Sequence, residues 1–189
     1  MRKIISAMHM SLDGIVAIPS RQLNWAKVSD EMFERAKYLT DRSDTALYGR
    51  VTYDMMDSYW PEAGMQPDAS KHDVEHSQWY NEVEKVIVSR SLKDLKKVKT
   101  TVISENLKEN IQKLKSTSGK NIQIFGSPSL CHSLMEHDLI DEYWLFQNPV
   151  FLGEGLPMFK NIKERMNLKL LSSKEYSSGV VELNYERTR

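Results

Sequence analysis

Three segments of the chain place small, hydroxyl and guanidinium side chains where an apolar, strand-like run ends. The first is 47–53 (LYGRVTY), in which Gly49, Arg50 and Thr52 follow a buried run. A helix that starts there presents free backbone amides and its positive end to an anion, and the guanidinium adds a forked donor. Taken alone, these residues fit a glycine turn with a surface arginine equally well.

The second segment is 124–129 (IFGSPS), where Gly126 precedes Ser127 and Pro128. Serine is a favoured N-cap residue, and proline at the first helical position gives up only an amide that would be unpaired anyway. By itself, this segment predicts an ordinary capped helix start.

The third segment is 88–91 (VSRS), in which Ser89 and Arg90 follow another predicted strand. In an open α/β sheet, ligands bind outside the carboxyl ends of the strands, where the strand order switches. Three anion-binding strand ends in one sheet therefore predict a site for a dinucleotide with a pyrophosphate. The pattern differs from a Rossmann fingerprint, because no G-x-G-x-x-G follows a strand.

Alternating strands and helices must bring these segments together. Strands are predicted at 3–11, Ile15–Ala17, 45–48, 85–89, 99–103, 121–125 and 141–152, and a C-terminal hairpin at 168–177 and 180–186. Helices are predicted at 30–40, 51–59, 105–115 and 127–137, whereas the proline-containing stretch 60–80 is predicted to be irregular. This order predicts an α/β fold with a mixed central sheet, helices on both faces and an antiparallel hairpin at the end.

The composition limits what can bind this chain. Its 189 residues fit one domain over 1–189, and 26 basic against 26 acidic side chains give no net charge. A neutral chain lacks the general attraction to nucleic acid or to an anionic membrane, so the expected partners are small molecules or protein. Ser6 and His9 interrupt the apolar N-terminal segment, and Cys131 is the single cysteine, so we expect a cytoplasmic protein in a reducing compartment.

Three longer motifs are spread along most of the chain, namely 11–17 (SLDGIVA), 47–61 (LYGRVTYDMMDSYWP) and 126–159 (GSPSLCHSLMEHDLIDEYWLFQNPVFLGEGLPMF). In this order they resemble the dihydrofolate-reductase-like family that contains the reductase domain of bacterial riboflavin biosynthesis, here as a stand-alone member without the deaminase domain. The resemblance implies a mixed sheet flanked by helices, an NADPH site and a homodimer. Trp144 and Phe146 share one face of the strand predicted at 141–152, and would pack in the core or across the dimer seam.

The resemblance also implies roles for individual residues. The residues expected around the adenosine phosphates are Gly49, Arg50, Thr52, Ser89 and Arg90. Those expected at the pyrophosphate are Gly126, Ser127 and Leu130. Those expected near the rest of the cofactor are Ala17, Gly153 and Gly155. Those expected to face the substrate pocket are Asp13, Trp25 and Asp30.

Two carboxylates are the candidate catalytic groups. Hydride transfer to a C=N or C=O carbon leaves charge on the heteroatom, which needs a proton or a hydrogen-bond donor. Asp30 lies at a predicted helix start, and Asp13 lies in the turn after the first strand. Each also has a structural explanation, because Asp-Gly favours a turn and an acidic residue favours a helix N-terminus.

The substrate remains open between several chemical classes. The phosphoribosylamino-uracil of riboflavin biosynthesis, 5-amino-6-(5-phosphoribosylamino)uracil, would need a cationic anchor, for which Arg21 and Lys27 are available; the arginine-containing segment of that enzyme is missing. A dihydrofolate-type pteridine would need a carboxylate and apolar walls, which Asp30, Trp25 and Phe33 could supply. The Met-Pro-Trp loop of folate reductases is matched only approximately. We therefore expect a small heterocyclic or carbonyl substrate.

One motif indicates another class of protein. The sequence 72–76 (HDVEH) fits the H-x-x-E-H pattern of some zinc hydrolases, with His72 and His76 as ligands beside Glu75. A zinc site needs a third ligand, and none is evident, so we expect a solvated surface helix and no metal. A nucleotide-binding module without catalysis is the remaining alternative.

Overall fold

The computed structural model describes residues 1–20, 22–92, 95–160 and 162–189. The strands are β1 (Ile4–Ser11), β2 (Ile15–Ala17), β3 (Ser43–Gly49), β4 (Glu84–Val88), β5 (Thr100–Ile103), β6 (Asn121–Phe125), β7 (Glu142–Asn148), β8 (Leu156–Pro157), β9 (Asn167–Glu175) and β10 (Val181–Thr188). The helices are α1 (Asp30–Asp41), α2 (Arg50–Ala63), α3 (Lys71–Glu82), α4 (Leu107–Ser116) and α5 (Pro128–Met135). None of these helices is long and apolar enough to cross a membrane.

Eight strands form one sheet in the order β5-β4-β3-β6-β1-β7-β10-β9. The six strands that run in this order from β5 to β7 are parallel to one another, and β10 and β9 continue the sheet as an antiparallel hairpin. A separate two-stranded ribbon joins β2 to β8. The predicted mixed sheet with a C-terminal hairpin is confirmed.

Helices cover both faces of the sheet because successive side chains of a strand point to opposite sides. Leu47 of β3 points to one face, where it shares a core with Leu130 of α5 and with α4. Its neighbour Tyr48 points to the other face, where it packs with Tyr53 of α2 and Tyr80 of α3. Helix α1 packs on this second face as well. The prediction of helices on both faces is therefore confirmed.

The prediction of an irregular stretch over 60–80 is wrong. Helix α2 continues through Pro61 to Ala63, because a proline near the end of a helix removes only one hydrogen bond. Helix α3 is fixed at its start by a capping box, in which the Ser70 hydroxyl accepts from the Asp73 amide (3.1 Å) and Asp73 accepts from the Ser70 amide (3.0 Å). The other predicted elements are present, with ends that differ by a few residues.

Trp144 and Phe146 lie in the core of the chain itself. They are 3% and 6% exposed and pack with Met32 of α1 and with Tyr176. Strand β7 ends at Asn148, earlier than predicted, because the following proline has no amide to donate to a neighbouring strand. The homodimer stays a prediction.

A buried ion pair joins α4 to the start of β7. The Lys115 ammonium donates to Asp141 at 2.5 Å, and their side chains are 6% and 13% exposed. Asp141 also accepts from the Ile4 amide (2.8 Å) and from Arg189 (2.7 Å). Burial alone would raise the pKa of Asp141, but these hydrogen bonds outweigh burial and hold the pKa below its usual value.

We expect Asp141→Ala to lower the free energy of unfolding by about 3 to 5 kcal/mol, because it leaves the Lys115 charge buried without its partner. Denaturant melts at pH 7 measure the loss. Asp41→Ala is the matched control, since Asp41 pairs with Lys37 on the exposed face of α1, where such a pair contributes about 0.5 kcal/mol. Equal losses in the two variants would contradict the assignment.

Candidate functional site

A cleft of ≈ 730 Å³ opens at the carboxyl edge of the central strands. It lies between β3 and β6, which are neighbours in the sheet but continue into helices on opposite faces, α2 and α5. Such a switch in the direction of the connections creates a crevice, and ligands of α/β sheets bind there. The predicted cofactor residues that line this cleft are Ala17, Gly49, Arg50, Thr52, Ser89, Arg90, Gly126, Ser127 and Leu130.

A direct contact joins the starts of α2 and α5. The Gly49 amide donates to the Ser127 hydroxyl at 3.0 Å. Gly126 and Ser127 have positive φ angles of 65° and 55°, and a non-glycine residue in this left-handed region is unfavourable. Ser127 is the N-cap residue of α5 and Pro128 is its first helical residue, as predicted, but the Ser127 side chain makes no capping hydrogen bond and contacts the neighbouring strand end instead. The N-terminal ends of α2 and α5, which both carry partial positive charge, therefore face the same cleft.

The two arginines of the cleft are held differently. Arg50 donates through Nε to both carboxylate oxygens of Asp54, at 2.9 and 2.7 Å, so its terminal nitrogens are the ones left to reach a ligand. Arg90 is exposed at the rim. The Ser89 hydroxyl accepts from the Leu92 amide at 3.0 Å and so shapes the loop that carries Arg90.

Asp13, Gly153 and Gly155 do not line the cleft, although Ala17 and Leu156 of the β2–β8 ribbon do. Asp13 accepts from the Ser11 hydroxyl (2.5 Å) and from the Gly153 amide (2.6 Å), and these two bonds lower the pKa of its carboxyl. A Cβ atom on Gly155 would lie 2.4 Å from the Ala17 carbonyl oxygen, so only glycine allows β8 to approach β2 this closely. The bonds of Asp13 are those of a residue that holds a loop.

The other predicted substrate residues are divided. Phe33 lines the cleft, whereas Asp30 and Trp25 do not. Asp30 is exposed at the first position of α1, and the Trp25 indole nitrogen is buried without a partner among the described residues. Lys27 donates its ammonium to the Ser178 carbonyl and also lies outside the cleft lining, and Arg21 lies outside the described residues. The structure thus brings neither candidate carboxylate into the cleft.

Seven of the described lining residues carry aromatic or imidazole rings, and we call this set the aromatic end. Its members are His9, Phe33, Trp60, His72, His76, Phe125 and Phe146. Arg50 and Arg90 follow β3 and β4, whereas His9 and Phe146 belong to β1 and β7, on the other side of β6. No aspartate or glutamate is among the described residues that line the cleft.

His9 is a polar residue of the aromatic end, and the sequence analysis did not identify it as a site residue. Its ring stacks on Phe146 with centroids 5.1 Å apart, and burial lowers the pKa of His9 to about 4. The side-chain nitrogen of Asn148 lies 3.3 Å from the His9 Nδ1 atom. The orientation of that amide is fixed, because Asn148 accepts from the Lys27 amide (2.8 Å) and donates to the Phe146 carbonyl (3.0 Å). The same Asn148 nitrogen also lies 3.3 Å from the Met10 carbonyl oxygen. An amide nitrogen donates and does not accept, so the Nδ1 atom that faces it is the unprotonated one, and the neutral ring carries its proton on Nε2.

The predicted surface helix that carries His72 and His76 has a buried face. His72 stacks on Phe33, with centroids 4.0 Å apart and planes 7° apart, and His76 packs 4.0 Å from Trp60. Burial, with a smaller effect of His72, lowers the pKa of His76 to about 3. The described residues contain no group of three potential ligands that could hold a metal ion. The two histidines of the H-x-x-E-H motif are wall residues of the aromatic end.

Comparisons with known proteins agree with this fold. The model of the RibD C-terminal domain family matches residues 2–182. The protein YyaP of Bacillus subtilis is 32% identical over 186 residues, which cover 97% of this chain and 94% of YyaP. A putative riboflavin biosynthesis protein from Shewanella sp. PV-4 superposes with a TM-score of 0.74 at 22% identity, over 100% of both chains. A dihydrofolate reductase from Enterococcus faecalis complexed with NADP(H) has a TM-score of 0.63 at 12% identity, covering 99% of this chain and 97% of that one. The predicted dihydrofolate-reductase-like fold is confirmed.

The neutral buried histidines predict acid sensitivity. A histidine in the unfolded chain has a pKa of about 6.5. Below that pH the unfolded chain therefore binds protons at His9 and His76, whereas both rings stay neutral in the folded state until the pH approaches their lowered pKa values. We expect the free energy of unfolding to fall as the pH is lowered from about 6.5 to 4, by up to about 1.4 kcal/mol per pH unit for each histidine. Denaturant melts across this range measure the slope.

His76→Phe keeps a ring in the aromatic end and removes one titrating group, so it should reduce that slope. His137→Gln is the control, because His137 is an exposed histidine outside the cleft lining, and it should leave the slope unchanged. A His76→Phe slope equal to that of the unaltered protein would contradict the burial argument.

Proposed function

The chain belongs to the RibD C-terminal domain family, and on that premise we propose that it is a reductase that uses NADPH to reduce a small heterocyclic or carbonyl compound. NADPH would supply the hydride. The observation that carries the proposal is the contact between the starts of α2 and α5, which directs two positive helix ends and two arginines into one cleft.

The residues of the cleft fit a dinucleotide phosphate. Helix N-termini bind phosphate through free amides and the helix dipole, and here two of them converge beside Gly49 and Gly126. Gly126 lines the cleft, and its positive φ of 65° is a conformation that glycine adopts without strain. The cleft volume of ≈ 730 Å³ lies within the usual range for small-molecule and cofactor sites, about 300 to 1,000 Å³.

Each group of the cofactor has residues that could hold it. Gly126, Ser127 and Leu130 would hold the pyrophosphate. Gly49, Thr52 and Ser89 would surround the adenosine phosphates. Ala17 lines the cleft on the side of the β2–β8 ribbon and would lie near the remainder of the cofactor.

The arginines decide between NADPH and NADH in this proposal. The 2′-phosphate distinguishes the two cofactors, and a guanidinium binds a phosphate with two parallel hydrogen bonds. Arg50 is the first candidate, because it stands in the first turn of α2 and its Nε is already fixed by Asp54. Arg90 on the neighbouring strand end is the second candidate.

Calorimetry with NADPH and NADH tests the proposed function, and we expect binding of NADPH. Arg50→Ala should weaken NADPH by about 1.5 to 3 kcal/mol, the strength of a charge-assisted hydrogen bond, and should weaken NADH much less. Arg165→Ala is the matched control, since Arg165 is exposed and does not line the cleft.

Equal losses of affinity for NADPH and NADH in Arg50→Ala would show that Arg50 does not bind the 2′-phosphate. We would then expect the selective loss of NADPH affinity in Arg90→Ala. If the unaltered protein binds neither nucleotide, the reductase proposal fails.

A further inference from the structure

The aromatic end restricts the compound that can be reduced. Phe33 and His72 form a stacked pair, Trp60 contacts His72, Phe125 contacts His76, and Phe146 stacks on His9. Flat rings interact favourably with such a wall through offset stacking and burial of apolar area. The shape and chemistry of this end therefore favour an aromatic acceptor.

Charge restricts the acceptor further. The described lining contains no carboxylate, and its two arginines follow β3 and β4, the strand ends proposed to bind the phosphates. The histidines do not supply a cation, because burial lowers the pKa values of His9 to about 4 and of His76 to about 3, and also lowers that of His72. A phosphosugar or a charged aminopyrimidine would lose its hydration here without gaining a counter-ion, which is costly.

Three histidines are the polar side chains of the aromatic end, and among the described residues the His76 Nε2 atom is buried without a partner. The His9 Nε2 atom makes no hydrogen bond with a described residue, and Asn148 holds the tautomer that carries the proton on this nitrogen. Asn148 itself is fully buried, so its amide is fixed in place. The His9 ring is therefore a neutral hydrogen-bond donor whose tautomer is set by a buried amide.

Taking the proposed NADPH reductase as the premise, we propose that the substrate is an uncharged aromatic carbonyl compound, stacked in the aromatic end with its carbonyl oxygen accepting from His9 Nε2–H. A hydride leaves the cofactor for the carbonyl carbon, and the π electron pair of the C=O bond moves to the oxygen. The alkoxide accepts the hydrogen bond from His9 and then takes a proton from water. NADPH is oxidised to NADP⁺ and the carbonyl compound is reduced to an alcohol.

His9 works in this step as an electrophile. A neutral imidazole donates a hydrogen bond where negative charge develops, as neutral histidines do in other active sites. Removing one donor to a developing oxyanion typically lowers kcat by about 10²- to 10³-fold. Asn148 is the positioning residue, because it determines which His9 nitrogen carries the proton.

The test compares two aldehydes that share a reacting centre and differ in charge, methyl 4-formylbenzoate and 4-carboxybenzaldehyde. NADPH oxidation at pH 7.5 is followed by absorbance, with dihydrofolate and the phosphoribosylamino-uracil as further acceptors. We expect kcat/KM for the ester to exceed that for the acid at least 100-fold, roughly the ratio that corresponds to 2.7 kcal/mol. Equal or better use of the acid, of dihydrofolate or of the phosphoribosylamino-uracil would overturn the proposal, as would no turnover of the ester.

Variants of His9 test its role directly. His9→Phe keeps the stacking on Phe146 and should lower kcat for the ester by about 10²-fold or more, with KM nearly unchanged. His9→Gln restores a donor and should recover part of kcat. His137→Gln, at an exposed position, is the control. Full kcat in His9→Phe, or no recovery in a folded His9→Gln, would overturn the role of the donor.

NADPH titration without an acceptor separates the two proposals. If NADPH binds and the ester is not reduced, the substrate class is wrong and the proposed function stands. If NADPH does not bind, the proposed function itself is wrong.

Discussion

The hydrogen bond from the Gly49 amide to the Ser127 hydroxyl fixes the geometry on which the whole cleft depends. It joins the carboxyl ends of β3 and β6, whose helices leave toward opposite faces of the sheet. The bond requires Ser127 to take a left-handed conformation, which costs about 1 to 2 kcal/mol. A strained serine at a strand end is stable only when tertiary contacts hold it, and it is buried here to 3% exposure.

Local patterns explain how much of the fold could be predicted. Strands such as β3 and β6 and the helices α1 and α4 have clear periodicity, so their presence followed from the sequence. The prediction for 60–80 was wrong because Pro61 and a glycine indicate a break in a helix, whereas Ser70 and Asp73 have the spacing of a capping box. Both signals were local, and the cap was the one that fixed the start of α3.

The residues of the candidate site also differ in whether local sequence could predict them. The backbone-shaped part, from Gly49 and Arg50 to Gly126, could be predicted because strand ends of a parallel sheet must share an edge. Asp13 and Asp30 follow from the family resemblance and from residue type, and neither lines the cleft, because Asp13 holds a loop and Asp30 faces solvent. His9 carried no local signal, since a polar residue in an apolar strand becomes a site residue only through its tertiary neighbours.

Asn148 shows why such a residue cannot be found from sequence spacing. Its amide accepts from the Lys27 amide on one side and faces His9 Nδ1 on the other, and each of these partners lies more than a hundred positions from Asn148 in the chain. Leu23 and Val28, which flank Lys27, line the cleft. The position of this apolar segment and the location of the His9 proton therefore depend on the same buried amide. A substitution at Asn148 changes both together, because a buried amide that loses either partner leaves a polar group unpaired.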